Sequence, residues 1–296
     1  MSRPRGLGSH PPPLPEGEGR EGQNLPRVRR LAEVEDIRLL LDTRRAYAAA
    51  VFGYLEPRLF SRTEWFEGLV DGARALLLLV SGTAGGLMYA QGDTAALEAV
   101  LQQATPVRRT YFTFEAAHEP LVRRWFILRH LQRLVRMQIR AETLTPVPSR
   151  AGPLGLAEVD RINDLYSTDS GAWISRRQFG EQVYYGIWES GKLVSVAGTQ
   201  AISRRYGVAV VANVMTHRDY RDRGYATECV SALTQALLRE VQDVVLNVAP
   251  ENAPAIRVYQ RLGYEEAYRL AEGWAFWRGR TGWDRLLARV YDWVTR

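Results

Sequence analysis

Runs of apolar residues along the chain change period many times, and each change marks an element. Residues 208–216, Val-Ala-Val-Val-Ala-Asn-Val-Met-Thr, are rich in β-branched side chains and follow a glycine, which predicts a buried strand. Residues 184–189 and 192–201 flank Ser190-Gly191 and predict a hairpin. Residues 243–248 predict another buried strand, and 265–278 one or two more. Helical spacing covers 156–166, 225–238 and 253–262, the last closed by Gly263 as a C-cap. In the first half, helices are expected over 34–52, 62–69, 94–103 and 118–126. Strands are expected there over 75–80, 86–90, 109–114 and 134–140. The apolar stretch 75–90 is broken by Ser-Gly-Thr-Ala-Gly-Gly, so it reads as a hairpin and no membrane span is expected. Strands alternate with helices throughout, which argues an α/β (α+β) fold with mixed sheets.

Composition refines this outline. A chain of 296 residues with 46% hydrophobic composition can build two cored domains. Residues 1–28 are rich in Pro, Gly and Arg and lack the apolar core of a secretory signal, so a disordered tail and a cytoplasmic protein are expected. The net charge is +6, carried almost wholly by arginine, since Lys192 is the only lysine. These arginines form no dense block, so nucleic acid is not expected as a partner. Cys229 is the single cysteine, which excludes an intrachain disulfide; it lies beside Val230 and Leu233 and reads as a buried thiol. His10, His118, His130 and His217 show no metal-ligand spacing, and no metal is expected. Apolar residues at 283, 286, 287, 290, 291 and 294 predict a C-terminal amphipathic helix over 280–296, docked on its own domain or on a partner.

The chain also repeats itself. A shift of 134 residues lays 111–126 on 245–260 without gaps, so that Phe114 meets Val248, Pro120 meets Pro254 and Arg123 meets Arg257. The polar positions differ: His118 stands for Asn252, and Trp125 for Tyr259. The first half reads as a degenerate copy that keeps the fold and loses the ligand groups.

Candidate chemistry lies in the second half. After the 208–216 strand, Arg221-x-x-Gly224-x-Ala226 opens a long helix. A helix start carries unpaired N–H groups and positive partial charge, and small residues let an anion approach them closely, which suggests a pyrophosphate ligand. Downstream runs Asn252-Ala253-Pro254-Ala255-Ile256-Arg257-Val258-Tyr259-Gln260-Arg261-Leu262-Gly263-Tyr264. The two segments, in this order, resemble the paired motifs of the GNAT acetyltransferase superfamily, and the resemblance covers roughly 134–278. The whole chain further resembles tandem proteins with a degenerate N-terminal GNAT-like half. On this resemblance the chain divides into the tail, a degenerate GNAT-like domain over 29–142, a catalytic domain over 143–279 and the C-terminal helix. The triplet His217-Arg218-Asp219 matches a kinase catalytic loop, but no glycine-rich nucleotide loop and no Asp-Phe-Gly accompany it, so it reads as a turn.

The resemblance implies acetyl-CoA as cosubstrate and a small-molecule or peptide amine as acceptor. Backbone N–H groups of Arg223, Gly224, Tyr225 and Ala226 would hold the pyrophosphate, with Arg221 and Arg223 adding guanidinium contacts. The pantetheine arm would pair with the backbone of Val214, Met215 and Thr216, and Asn252 would hydrogen-bond it or cap its own helix. Tyr259 would donate to the leaving sulfur. The 208–216 strand holds no acid, so a base would come from Glu181, Glu189, Glu272 or a water chain, with Tyr184 and Tyr185 beside the acceptor. The missing acid leaves open a non-catalytic acyl-CoA-binding sensor or interaction module.

Overall fold

The computed structural model describes residues 26–279 except 83, 84, 105, 107 and 170. The expected C-terminal helix over 280–296 and residues 1–25 of the expected tail lie outside the described residues. In chain order the strands are β1 (Arg27–Leu31), β2 (Thr63–Val70), β3 (Ala73–Val80), β4 (Gly86–Gly92), β5 (Arg109–Glu115), β6 (Phe126–Ile139), β7 (Gly152–Leu154), β8 (Tyr184–Glu189), β9 (Lys192–Ser203), β10 (Val208–Thr216), β11 (Asp243–Val248) and β12 (Glu265–Trp277). They form one mixed sheet in the order β1-β2-β3-β4-β5-β12-β6-β11-β10-β9-β8-β7.

That order reads the same from both ends once the halves are matched. β4 and β5 are parallel and joined by the helix Thr94–Gln103; β10 and β11 are parallel and joined by the helix Tyr225–Leu237. The last strand of each half crosses over. β6 of the first half pairs with β11, and β12 of the second pairs with β5, while β6 and β12 pair with each other at the centre. The repeat seen over 111–126 and 245–260 therefore extends to the whole strand–helix order.

Three expectations for the first half are corrected. Residues 62–69, expected as a helix, form β2, because Asp71 and Gly72 both take positive φ (49° and 82°) and turn β2 onto β3. Successive left-handed residues make the tight turn whose twist suits a two-residue hairpin; Ser190-Gly191 does the same between β8 and β9. Arg27 and Val28, assigned to the tail, begin β1, an edge strand on β2 where Arg29 donates to Glu67 at 2.6 Å. The helix expected over 34–52 breaks into Val34–Asp42, Arg45–Ala48 and a 3₁₀ turn, Phe52–Leu55.

One face of the sheet packs the helices Tyr225–Leu237 and Ala253–Arg261 around Val211, Leu246 and Val248. On the other face a common core joins the halves: Ile37, Leu41 and Phe52 pack with Val208, Val210 and Val245. Asp243, 1% exposed, seals this join at the foot of β11 by accepting from Arg45 (2.6 Å), Arg140 (2.7 Å) and Gln138 (2.8 Å). The same pairing of β10 with β11 that builds the core also ends early, and the site starts where it ends.

Candidate active site

β10 and β11 stay paired only from Val208 with Asp243 to Val211 with Leu246. Beyond that, β10 bulges. Ala212 opposes Gly198 and Met215 opposes Val196, so Asn213 and Val214 share the space opposite one residue of β9. Asn213 takes φ of 56°. An extra residue bends a strand and increases its twist, and here it turns β10 away from β11. Side chains hold the bulge: the Tyr166 hydroxyl donates to the Asn213 carbonyl at 3.1 Å, and Asn213 Nδ2 donates to the Tyr184 hydroxyl at 2.8 Å. Tyr184 in turn donates to Gln182 Oε1 at 3.1 Å. The polar roles of Tyr166 and Gln182 had no local sequence signal, because they depend on where the bulge falls.

The parted strands open a cavity of about 860 Å³. Val214, Met215 and Thr216 form one wall, Gly224, Tyr225 and Ala226 lie at the cradle, and Asn252 and Tyr259 face it from the last helix. Arg221 also lines it, whereas Arg223 does not.

The cradle is a bare helix start. Gly224 is the N-cap residue, with φ of 82° and no capping side chain. The first N–H groups of a helix have no intrahelical acceptor, and those of Tyr225, Ala226 and Thr227 meet no other acceptor among the described residues. The first half differs at the matching point. Asp93 caps the helix Thr94–Gln103, and its carboxylate accepts from Ala95 N at 2.8 Å and Ala96 N at 2.9 Å. His118, which stands for Asn252, is buried there and hydrogen-bonds the Gly92 carbonyl at 2.9 Å through Nε2.

The arginines sort differently from expectation. Arg221 pairs with Asp169 and donates to the Thr216 carbonyl at 3.3 Å. Arg223 donates to the Asp219 carbonyl at 3.2 Å and lies 5.1 Å from the centre of the Tyr220 ring, so its guanidinium is spent within the turn. Arg257 and Arg261, exposed on the cavity wall, form no ion pair among the described residues. They lie on successive turns of the helix, and that spacing was the available signal.

Asn252 caps the helix Ala253–Arg261 by accepting from Ala255 N at 3.2 Å. Tyr259 is 7% exposed and packs edge-on against Tyr264, with ring centres 5.9 Å apart. Its hydroxyl meets no protein partner among the described residues, and burial pushes its pKa up to about 12. At neutral pH it is a hydrogen-bond donor. Cys229 is buried in the core, and burial likewise pushes its thiol up to about 12, so it is not a nucleophile at neutral pH.

None of the three glutamates considered as a base lines the cavity. Glu181 pairs with Arg58 at 3.4 Å. Glu189 accepts from the Tyr225 hydroxyl at 2.7 Å and from Arg150 at 3.0 Å, contacts that hold its carboxyl below the usual range. Glu272 lies on β12 where that strand pairs with β5 of the first half, and Thr113 donates to it at 3.5 Å. Tyr185, half-buried, packs on the core beneath the Tyr225–Leu237 helix. Asn247, not foreseen from sequence, does line the cavity, and Arg136 of β6 donates to its Oδ1 at 2.8 Å. Among the described residues no His, Cys, Asp and Glu cluster could hold a metal ion, and no helix is long and apolar enough to cross a membrane.

Known proteins share this fold. The sequence model of the Acetyltransferase (GNAT) family matches residues 157–264. No curated protein matches the chain. Among solved structures, a Drosophila melanogaster protein is similar with TM-score 0.61 and 12% identity, covering 84% of this chain and 98% of that one. A GCN5-related N-acetyltransferase from Kribbella flavida is similar with TM-score 0.52 and 20% identity, covering 81% and 97%. Another, from Sphaerobacter thermophilus, has TM-score 0.51 and 14% identity, covering 84% and 95%. At these identities the structures speak for the fold. The segment that the Acetyltransferase (GNAT) family model matches, residues 157–264, holds β8 to β11, the cradle and the Tyr259 helix.

Proposed function

We propose that the chain moves an acetyl group from acetyl-CoA to an amine by direct attack in a ternary complex. One observation carries this reading: a bare helix start and an unpartnered tyrosine hydroxyl face the same cavity, which opens where β10 and β11 part. The residues present fit acetyl-CoA. Three N–H groups and two guanidinium groups that have no partner among the described residues suit a diphosphate and a further phosphate. The freed edge of β10 at Val214 to Thr216 suits an extended amide-bearing arm. When bound, acetyl-CoA supplies an activated acyl carbon and a sulfur leaving group.

The chain's own residues do the rest. The Val214 N–H, at the bulge, polarises the acyl carbonyl, and donors fixed in advance in this way stabilise negative charge as it develops. The neutral amine nitrogen forms a bond to the acyl carbon, the carbon–sulfur bond breaks with its electron pair going to the sulfur, and the nitrogen gives up its extra proton to solvent to leave the amide. The Tyr259 hydroxyl donates a hydrogen bond to that sulfur. With its pKa near 12, against about 8.5 for a thiol, it stabilises the thiolate without surrendering its proton. Cys229 takes no covalent part.

The test uses the full chain. Coenzyme A binding is measured by calorimetry, and thiol release from acetyl-CoA is followed over a panel of small amines and peptide amines. Binding together with amine-dependent thiol release supports the proposal. Binding without turnover on any amine favours the acyl-CoA sensor, and a chain that binds no coenzyme A overturns both.

A further inference from the structure

Along β11, Val244, Leu246 and Val248 pack against the cavity-side helices, while Val245 packs in the core shared by the two halves. Asn247 has the parity of Val245 and therefore turns to the shared side, where β10 has already parted from β11. Its register partner is Arg136, on the strand that crosses from the first half.

Arg136 is 2% exposed. Its Nε donates to Asn247 Oδ1 at 2.8 Å, and its Nη1 donates to the Tyr47 carbonyl and, at 3.4 Å, to the Ala46 carbonyl. It forms no ion pair among the described residues. A guanidinium has donors only, so the oxygen of Asn247 must face it and the NH₂ must face the other way. That NH₂ meets no protein partner among the described residues, and Asn247 lines the cavity. The fold does not demand this arginine. At the matching register in the first half, Thr113 of β5 faces Glu272 of β12, so the half with a capped helix carries an acid where the half with the bare cradle carries a cation. A buried charge with no carboxylate in direct contact costs stability, and Glu272 acts on it only from a distance, which points to a use elsewhere.

We propose that Arg136 is a positioning residue for the acyl transfer proposed above: it fixes the Asn247 carboxamide as a donor into the cleft, and its buried positive charge favours the neutral amine over the ammonium there. The inference rests on the acyl-transfer reading. The amine then gives its first proton to solvent before attack, so no glutamate base is needed. The groups facing the guanidinium are Tyr47, Tyr89 and Glu272. Those facing the cleft are the tyrosines Tyr166, Tyr220, Tyr225 and Tyr259, the guanidinium groups of Arg221, Arg257 and Arg261, and the carboxylates of Asp222 and of Asp169, the latter engaged by Arg221.

Asn247→Asp keeps the side chain's shape, gives Arg136 a counter-ion and removes the donor. The expected result is a tenfold or larger fall in kcat, on the order of a lost preorganised donor. The acidic limb of the kcat profile should also rise by about one pH unit, as for loss of a nearby charge at intermediate dielectric. Coenzyme A affinity by calorimetry should stay within about threefold and the melting temperature should not fall, since the new pair is buried and matched. Arg136→Lys keeps the charge and loses the fixed fork, so kcat should fall while the acidic limb stays in place. Wild-type kcat and acidic limb in Asn247→Asp would overturn the proposal while leaving the acyl-transfer reading intact. A fall in coenzyme A affinity parallel to kcat would reduce the pair to a structural role and overturn it equally. A wild-type chain that binds no coenzyme A removes both readings.

Discussion

Asp93 and Gly224 are the N-cap residues of matching helices, and one closes the site that the other leaves open. The Asp93 carboxylate accepts from the second and third N–H groups of its helix, at Ala95 and Ala96, while the corresponding groups of Ala226 and Thr227 behind Gly224 meet no acceptor among the described residues. An aspartate here supplies from within the chain the negative charge that a diphosphate would bring. Gly224→Asp should therefore lower coenzyme A affinity by about a hundredfold or more, through self-capping, charge repulsion and the loss of glycine at φ of 82°. Asp93→Ala should cost about 1 kcal/mol of stability and leave coenzyme A affinity unchanged. Calorimetry and thermal melts on the two variants check the pair, and equal affinity in Gly224→Asp would place the diphosphate elsewhere.

Tyr259 offers its hydroxyl to the cavity with no protein partner among the described residues, and burial pushes its pKa up to about 12. A raised tyrosine pKa keeps the proton on. The donor form should persist across the usual assay range, and Tyr259 should produce no basic limb below about pH 11. Tyr259→Phe should lower kcat by about ten- to a thousandfold, within the usual range for a lost acid–base or hydrogen-bonding group. Coenzyme A affinity should change less than about threefold, because the ring and its packing on Tyr264 remain. Unchanged kcat would remove the residue from the chemistry.

Elements with a strong local signal were legible from sequence. The bounds of Val208–Thr216, Asp243–Val248 and Thr94–Gln103 follow from β-branched runs and from an Asp cap, which act over a few residues. β2 was misread because its apolar spacing suits either period, and the deciding signal, Asp71-Gly72, lies just beyond it. The crossing of β6 and β12 had no local signal, since pairing between strands a hundred residues apart depends on the assembled core. The site divides the same way. Gly224, Asn252 and Tyr259 stand in contiguous motifs, whereas Asn247 and Arg136 meet only through the register of crossed strands.

Arg257 and Arg261 are exposed on the wall of the cavity and form no ion pair among the described residues, whereas Arg221 and Arg223 already have partners. The phosphate contacts should therefore fall mainly to the former pair. Removing one exposed guanidinium from a phosphate costs roughly 1.5–3 kcal/mol for a charge-assisted bond. The double variant Arg257→Ala/Arg261→Ala should raise the KM for acetyl-CoA by more than about tenfold, with kcat little changed, since the contact is the same before and during reaction. The wild-type KM should also rise with ionic strength, and the double variant should lose most of that slope. The matching loss in Arg223→Ala should be small.

Asp243 joins the halves below the site. Its carboxylate is 1% exposed and receives Arg45 from the first half, Arg140 after β6 and Gln138 on β6. Removing one member of a buried ionic cluster strands the others, at about 3–5 kcal/mol. Asp243→Ala should fall in that range by urea unfolding, and Asp243→Asn should fall below it because an amide oxygen can still accept one bond. β10 and β11 begin their pairing at Val208 with Asp243, so loosening the foot should also disturb the parting of the strands above. Acetyl-CoA KM should then rise together with the loss of stability. A full-strength site in a chain weakened by 3 kcal/mol or more would show that the wedge is held by the bulge at Asn213 alone.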